Sequence, residues 1–191
     1  MSRRLSILAA TAAVAMTAQP AAADPVDAYW ANLSALCGKA FGGTLIQAPE
    51  GDTAFEGQAL VMHVRDCSPT RIRIPFIVGD NLSRTWVLTR HEDGRIELRH
   101  DHRHEDGSEE DATQYGGFTP NPGNDRIKMF PADQATWDRM PNSHPSVWFM
   151  EVQDHRFIYA AVRVGTPRAY RVEFDLTREI DAPPAPWGWA D

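Results

Sequence analysis

Residues 84–107 read RTWVLTRHEDGRIELRHDHRHEDG, and this stretch decides the fold class. It contains two segments that alternate apolar and polar residues, with Asp93 and Gly94 between them. An Asp-Gly pair in this position is a strong short-range signal for a β-hairpin. The stretch therefore predicts antiparallel strands at Arg84–His91 and Arg95–His104, with successive side chains on opposite faces.

The second predicted strand has one face that begins with two aliphatic residues and continues as histidine. His100, His102 and His104 share that face if the pleat extends to the end of the segment. Imidazole is the commonest metal ligand near neutral pH, and a catalytic zinc site needs about three protein ligands. The pattern predicts a divalent metal site, such as zinc, at these three residues. A buried hydrogen-bond network, or a solvated hairpin end if pairing stops at Asp101, fits the pattern as well.

The first strand of the hairpin mixes basic and apolar side chains on one face. Arg84, Trp86 and Arg90 lie on that face by alternation. Small β-barrels fill their interior with side chains or hold one small ligand. These three residues are therefore candidates for binding an amphipathic anion. A solvated outer face, on which long basic side chains cover apolar surface, is the alternative.

Alternation and tight turns extend over most of the chain. They predict a mainly β fold, in which an antiparallel meander closes into a barrel-like sheet and so removes exposed edges. The acidic, glycine- and proline-containing region Asp106–Asn124 is predicted to be a loop. The predicted strands are Thr44–Gln47, Ala59–Asp66, Arg71–Val78, Arg84–His91, Arg95–His104, Arg126–Phe130, Ser146–Gln153, Phe157–Val164 and Ala169–Thr177.

Two helices and one disulfide complete the predicted domain. An apolar stripe with helical spacing predicts an N-terminal helix over Asp24–Ala40, and flanking prolines predict a short internal helix at Ala132–Met140. Cys37 and Cys67 are the two cysteines of the chain. An even count together with predicted export favours a disulfide between them over two free buried thiols.

The N-terminus predicts export and so divides the chain. Residues 1–23 contain two arginines, a short apolar run and small residues before Asp24, the three parts of a secretory signal peptide. The arginine pair also weakly matches a twin-arginine signal. We therefore predict a signal peptide at 1–23, one β-rich domain at 24–180 and a proline- and tryptophan-rich tail at 181–191. The predicted location is periplasmic or secreted.

Charge and missing motifs narrow the predicted function. The formal net charge of −7 at pH 7 disfavours nucleic acid as a partner, and no segment after the signal peptide is apolar enough to span a membrane. The sequence has neither a G-x-S-x-G elbow nor a phosphate loop, which disfavours an enzyme. The leading hypothesis is a binding or accessory module that takes a small ligand or a metal near His100–His104. The alternatives are a metal-assisted hydrolase or lyase, with Asp101 or Glu105 as general base, and a structural envelope protein.

Several motifs resemble a family of uncharacterised secreted bacterial proteins, and the resemblance covers most of the chain after residue 23. It implies an exported bacterial protein and no mechanism. At a looser level, the helix-plus-meander pattern is similar to lipocalin-like barrels. The motifs are RIRIPF at residues 71–76, SRTWVLTR at 83–90, HDHRHEDGSE at 100–109, YGG at 115–117 and RVEFDLT at 171–177.

Overall fold

Strands make up most of the regular structure in residues 23–189, which the computed structural model describes. The predicted mainly β fold with an N-terminal and an internal helix is confirmed. The predicted signal peptide lies outside the described residues, apart from its last residue. The helices are α1 (Pro25–Ser34) and α2 (Gln134–Arg139), and the strands are β1 (Ala40–Gln47), β2 (Leu60–His63), β3 (Asp66–Cys67), β4 (Arg71–Val78), β5 (Asn81–Arg90), β6 (Ile96–His102), β7 (Tyr115–Phe118), β8 (Ile127–Pro131), β9 (Ser146–Val152), β10 (Arg156–Arg163) and β11 (Ala169–Ile180).

All strand pairs are antiparallel, and together they form a nearly closed barrel. The strand order is β7-β6-β5-β4-β2-β1-β11-β10-β9-β8, with the short β3 paired to β4. Strand β1 pairs with β2 on one side and with β11 on the other, so it joins the two hairpin arrays. The sheet then curls until its two end strands, β7 and β8, lie side by side.

The seam between β7 and the β8–α2 connection closes the barrel without a regular strand ladder. The Gly116 carbonyl accepts hydrogen bonds from the Asp133 amide at 3.1 Å and from Thr136 Oγ1 at 2.8 Å. The Gly116 amide in turn lies 2.8 Å from Thr136 Oγ1. A Cβ atom built on Gly117 would lie 1.8 Å from the Pro131 carbonyl oxygen. The seam therefore requires glycine, because only the bare backbone allows this approach.

Helix α1 covers one end of the barrel. The Asp24 carboxylate caps it by accepting a hydrogen bond from the Val26 amide at 2.7 Å. Tyr29 and Leu33 are fully buried against the apolar interior. The Lys128 ammonium, on β8, donates a hydrogen bond to the Pro25 carbonyl at 3.2 Å and fixes the start of the helix.

Several element boundaries differ from the sequence prediction, and the predicted strand Ala59–Asp66 is divided into β2 and β3. The N-terminal helix ends at Ser34 and not at Ala40, because Ala40 and Phe41 already pair with β2 and β11 at the start of β1. The region Asp106–Asn124 is not a loop throughout, because it contains β7. In both places a glycine pair, Gly42–Gly43 or Gly116–Gly117, lies inside a strand.

The Cys37–Cys67 disulfide is confirmed. Cys37 lies in the exposed turn between α1 and β1, not on the buried helix face, and Cys67 lies on β3. The C-terminal tail runs across the outside of the sheet, where the Trp187 amide donates to the Leu82 carbonyl at 3.2 Å. Among residues 23–189, neither helix has the length and apolar character that a membrane span requires.

Candidate functional site

A cavity of about 240 Å³ opens at the end of the barrel opposite α1. Arg90, near one end of β5, forms an ion pair with Asp27 of α1. Arg84, on the same face of β5, lines the cavity, and about 20 Å of strand separates the two arginines at roughly 3.3 Å per residue. The lining side chains are Ala54, Phe55, Arg84, His102, Tyr115, Met140, Ser143, Ser146, Trp148, Tyr159, Ala161, Val162, Arg163, Arg168 and Tyr170.

The floor of the cavity forms where opposite walls of the barrel touch. Strand β5 is third from one end of the strand order and β10 is third from the other, so the two strands face each other across the barrel. The Trp86 ring, on β5, stacks on the Tyr159 ring, on β10, with centroids 4.4 Å apart. Phe76 also stacks on Trp86, with centroids 4.7 Å apart, and its ring lies 6.2 Å from that of Tyr159. Trp86 is therefore buried beneath the cavity, and Tyr159 forms its base.

Three arginines make the mouth of this cavity cationic. Arg84 donates to the Asn81 side-chain oxygen at 3.0 Å, and the Nε of Arg163 is buried without a hydrogen-bond partner in the described chain. Within residues 23–189, none of Arg84, Arg163 and Arg168 forms an ion pair with a carboxylate. No aspartate or glutamate of the described part of the chain lines the cavity. The mouth therefore concentrates positive charge in a protein whose formal net charge is −7.

An aromatic pair lies between two of these arginines. The rings of Phe55 and Tyr170 meet edge to face with centroids 5.2 Å apart. The Arg84 guanidinium carbon lies 5.9 Å from the Phe55 ring, and that of Arg168 lies 5.2 Å from the Tyr170 ring. The Asp52 carboxylate fixes the pair by accepting hydrogen bonds from the Tyr170 hydroxyl at 2.8 Å and from the Phe55 amide at 3.0 Å.

His100 is the first of the three candidate metal-ligating histidines, and its buried ring forms hydrogen bonds within the protein. Its Nδ1 lies 3.1 Å from the Tyr115 carbonyl oxygen, which can only accept, so Nδ1 carries the proton. Its Nε2 then accepts from the Tyr159 hydroxyl at 2.9 Å. Burial lowers the His100 pKa to about 3. At neutral pH this imidazole is uncharged, and each of its two nitrogens already forms a hydrogen bond.

The other two histidines separate because β6 ends at His102. The His102 ring lines the cavity, with Nε2 3.1 Å from the Tyr115 hydroxyl and Nδ1 3.6 Å from a Glu110 carboxylate oxygen. His104 is exposed in the following turn. Residues 23–189 contain no group of three or more His, Cys, Asp or Glu side chains placed to hold a metal ion. The metal hypothesis for His100, His102 and His104 stays a prediction from the sequence.

The partly buried His102 imidazole makes the stability of the protein sensitive to acid. An unfolded histidine takes up a proton near pH 6.5, whereas burial and the positive charge of Arg84 lower the folded pKa of His102 to about 4. Between these values the unfolded state binds more protons, so the unfolding free energy falls as the pH falls. For this group, the loss is about 2 kcal/mol from pH 6.5 to about 4.5.

We expect His102→Gln to remove that part of the acid sensitivity in urea unfolding measured at the two pH values. His104→Gln is the matched control, since this ring is exposed and should leave the acid-induced loss unchanged. Equal losses in the wild-type protein and in His102→Gln would contradict the assignment. A glutamine retains hydrogen-bonding groups near Tyr115 and Glu110, so the comparison isolates the titration.

The structure brings together some of the residues predicted from sequence and separates others. Arg84 and His102 line the cavity, Trp86 lies beneath it, and Arg90 lies at the other end of the barrel. The cavity residues Tyr159 and Arg163 were missed, although alternation along β10 places them on the same face as Phe157, which is buried. Arg168 carries no such signal, because it lies in the turn before β11.

Comparison of the chain with protein-family models, curated proteins and solved structures finds no match. The resemblance to a family of secreted bacterial proteins therefore stays a prediction, and the geometry of the cavity carries the functional argument.

Proposed function

We propose that this protein is an exported binding module that takes a small amphipathic anion in the mouth of its barrel. One observation carries the proposal: three arginines that have no carboxylate partner within residues 23–189 surround a cavity that is also lined by aromatic side chains. Uncompensated guanidinium groups favour carboxylate or another planar anion, which they can bind by paired hydrogen bonds. The aromatic side chains provide apolar contact for the remainder of the ligand.

The size and shape of the cavity limit the ligand. At about 240 Å³ it falls below the 300–1,000 Å³ typical of pockets for drug-sized molecules. The stacked Trp86 and Tyr159 rings block extension toward the core. A ligand with one ring or a short hydrocarbon chain fits these limits. The Cys37–Cys67 disulfide supports the exported location, since such bonds persist in oxidising compartments.

Calorimetric titration with benzoate and with benzamide tests the proposal. The two probes have nearly the same shape but differ in charge, so we expect benzoate to bind at least about five times more tightly at low salt. Arg84→Gln should remove most of this preference. Arg90→Gln is the matched control on the same strand, because its guanidinium is paired with Asp27 at the other end of the barrel.

Two results would contradict an anion-binding mouth. One is equal affinity for benzoate and benzamide in the wild-type protein. The other is an equal loss of benzoate binding in Arg84→Gln and Arg90→Gln, which would show that the effect does not arise in the cavity. The melting temperature of each variant shows whether it is folded.

A further inference from the structure

We propose that the ligand of this site carries two negative charges at opposite ends of a short apolar body, as in a dicarboxylate. The inference rests on the proposed function and specifies the class of anion. It follows from how the arginines are distributed around the cavity and from what lies between them.

The arginines lie on opposite walls of the barrel mouth. Arg84 is on β5, whereas Arg163 and Arg168 flank the turn between β10 and β11. Strands β5 and β10 face each other across the barrel. The turn that holds the second pair is fixed by a hydrogen bond from the Arg163 amide to the Arg168 carbonyl at 2.9 Å. Two separate cationic groups therefore face one cavity from two sides.

The space between these groups is apolar and aromatic. Phe55 contacts the guanidinium of Arg84, Tyr170 contacts that of Arg168, and the two rings touch each other. The order of contacting groups from one side of the mouth to the other is thus cation, ring, ring, cation. A ligand with an anion at each end and an apolar middle matches this order group by group, whereas a single carboxylate leaves one cationic group without a partner.

The two cationic groups act on the same interior space. Burial raises the pKa of the Tyr115 hydroxyl to about 12, and the charges of both Arg84 and Arg168 oppose that rise. The positive charges of both guanidinium groups therefore act on one hydroxyl of the cavity wall. The negative charge of Glu110 raises the pKa of this hydroxyl and so acts against the two arginines. A Glu110 carboxylate oxygen lies 3.6 Å from His102 Nδ1, but Glu110 does not line the cavity.

Titration with three benzene carboxylates separates the position of charge from its amount. Terephthalate carries its two carboxylates at opposite ends of the ring, phthalate carries two at adjacent positions, and benzoate carries one. We expect terephthalate to bind about ten times more tightly than benzoate, since it adds one charge-assisted contact at the far arginine. Phthalate should bind within about threefold of benzoate, because its second carboxylate cannot reach the other wall.

Two arginine variants locate the second charge. Arg84→Gln and Arg168→Gln should each reduce terephthalate affinity to that of benzoate for the wild-type protein. Arg178→Gln is the control, since this exposed arginine of β11 does not line the cavity. It should leave the preference for terephthalate unchanged.

The outcomes distinguish this inference from the proposed function. If benzoate binds and terephthalate binds no more tightly, the two-ended ligand is wrong and the anion site stands. If phthalate binds as tightly as terephthalate, the affinity depends on the number of charges and not on their position, and the inference is also overturned. If none of the three acids binds, the proposed function itself fails.

Discussion

Replacement of Gly117 by alanine is expected to lower the free energy of unfolding by at least about 3 kcal/mol, at the upper end of the range for overpacked sites. The added Cβ would lie 1.8 Å from the Pro131 carbonyl oxygen and 3.2 Å from the Asp133 amide nitrogen. Backbone atoms cannot move aside as a flexible side chain can. The alanine therefore separates β7 from the start of α2 and opens the seam of the barrel.

Gly42→Ala provides the matched control for this variant. Gly42 also lies in a strand and has an ordinary backbone conformation, and no atom of residues 23–189 lies within 4 Å of the position that its Cβ would take. Urea unfolding should therefore show a change within about 0.5 kcal/mol of the wild-type protein. Equal effects of Gly42→Ala and Gly117→Ala would show that the seam is not the reason for the loss.

Removal of the disulfide by Cys37→Ser with Cys67→Ser is expected to lower the free energy of unfolding by about 3–4 kcal/mol. The bond spans a sequence separation of 30 residues, and closing a loop of that size restricts the unfolded chain. It also joins the turn after α1 to β3. The variant should stay folded and lose stability toward urea.

A reducing agent gives the control for the disulfide. Dithiothreitol should destabilise the wild-type protein by a similar amount and leave the double-serine variant unchanged. A loss below about 1 kcal/mol in the variant would mean that the bond contributes little beyond the contacts around it. The measurement is urea unfolding with and without the reductant.

The strands of the barrel could be predicted from sequence because alternation and turn residues are local signals. Strand β7 could not, because it contains Gly116 and Gly117, and glycine is disfavoured in strands when only local propensity is considered. The glycines are needed because the strand contacts the backbone of Pro131 and Asp133, which are distant in the sequence. The early end of α1 has a similar cause, since pairing of Ala40 and Phe41 with β2 and β11 overrides a helical pattern.

The site was predictable only in part. Alternation on β5 identified Arg84, but it could not tell which end of the strand lies at the open mouth, so Arg90 was equally plausible. That choice depends on where α1 covers the barrel. Alternation places the three histidines on one face only if the strand continues to His104, and the end of β6 at His102 leaves His104 at the surface. Arg163 and Arg168 contribute to the cavity only because β10 lies opposite β5.

The three mouth arginines also have a kinetic consequence. Because the formal net charge of the protein is −7, an approaching anion is repelled by much of the surface and attracted at the mouth. Such a charge distribution guides diffusing anions to one entrance and raises their rate of association. Added salt should therefore slow association of the ligand more than it changes the lifetime of the complex.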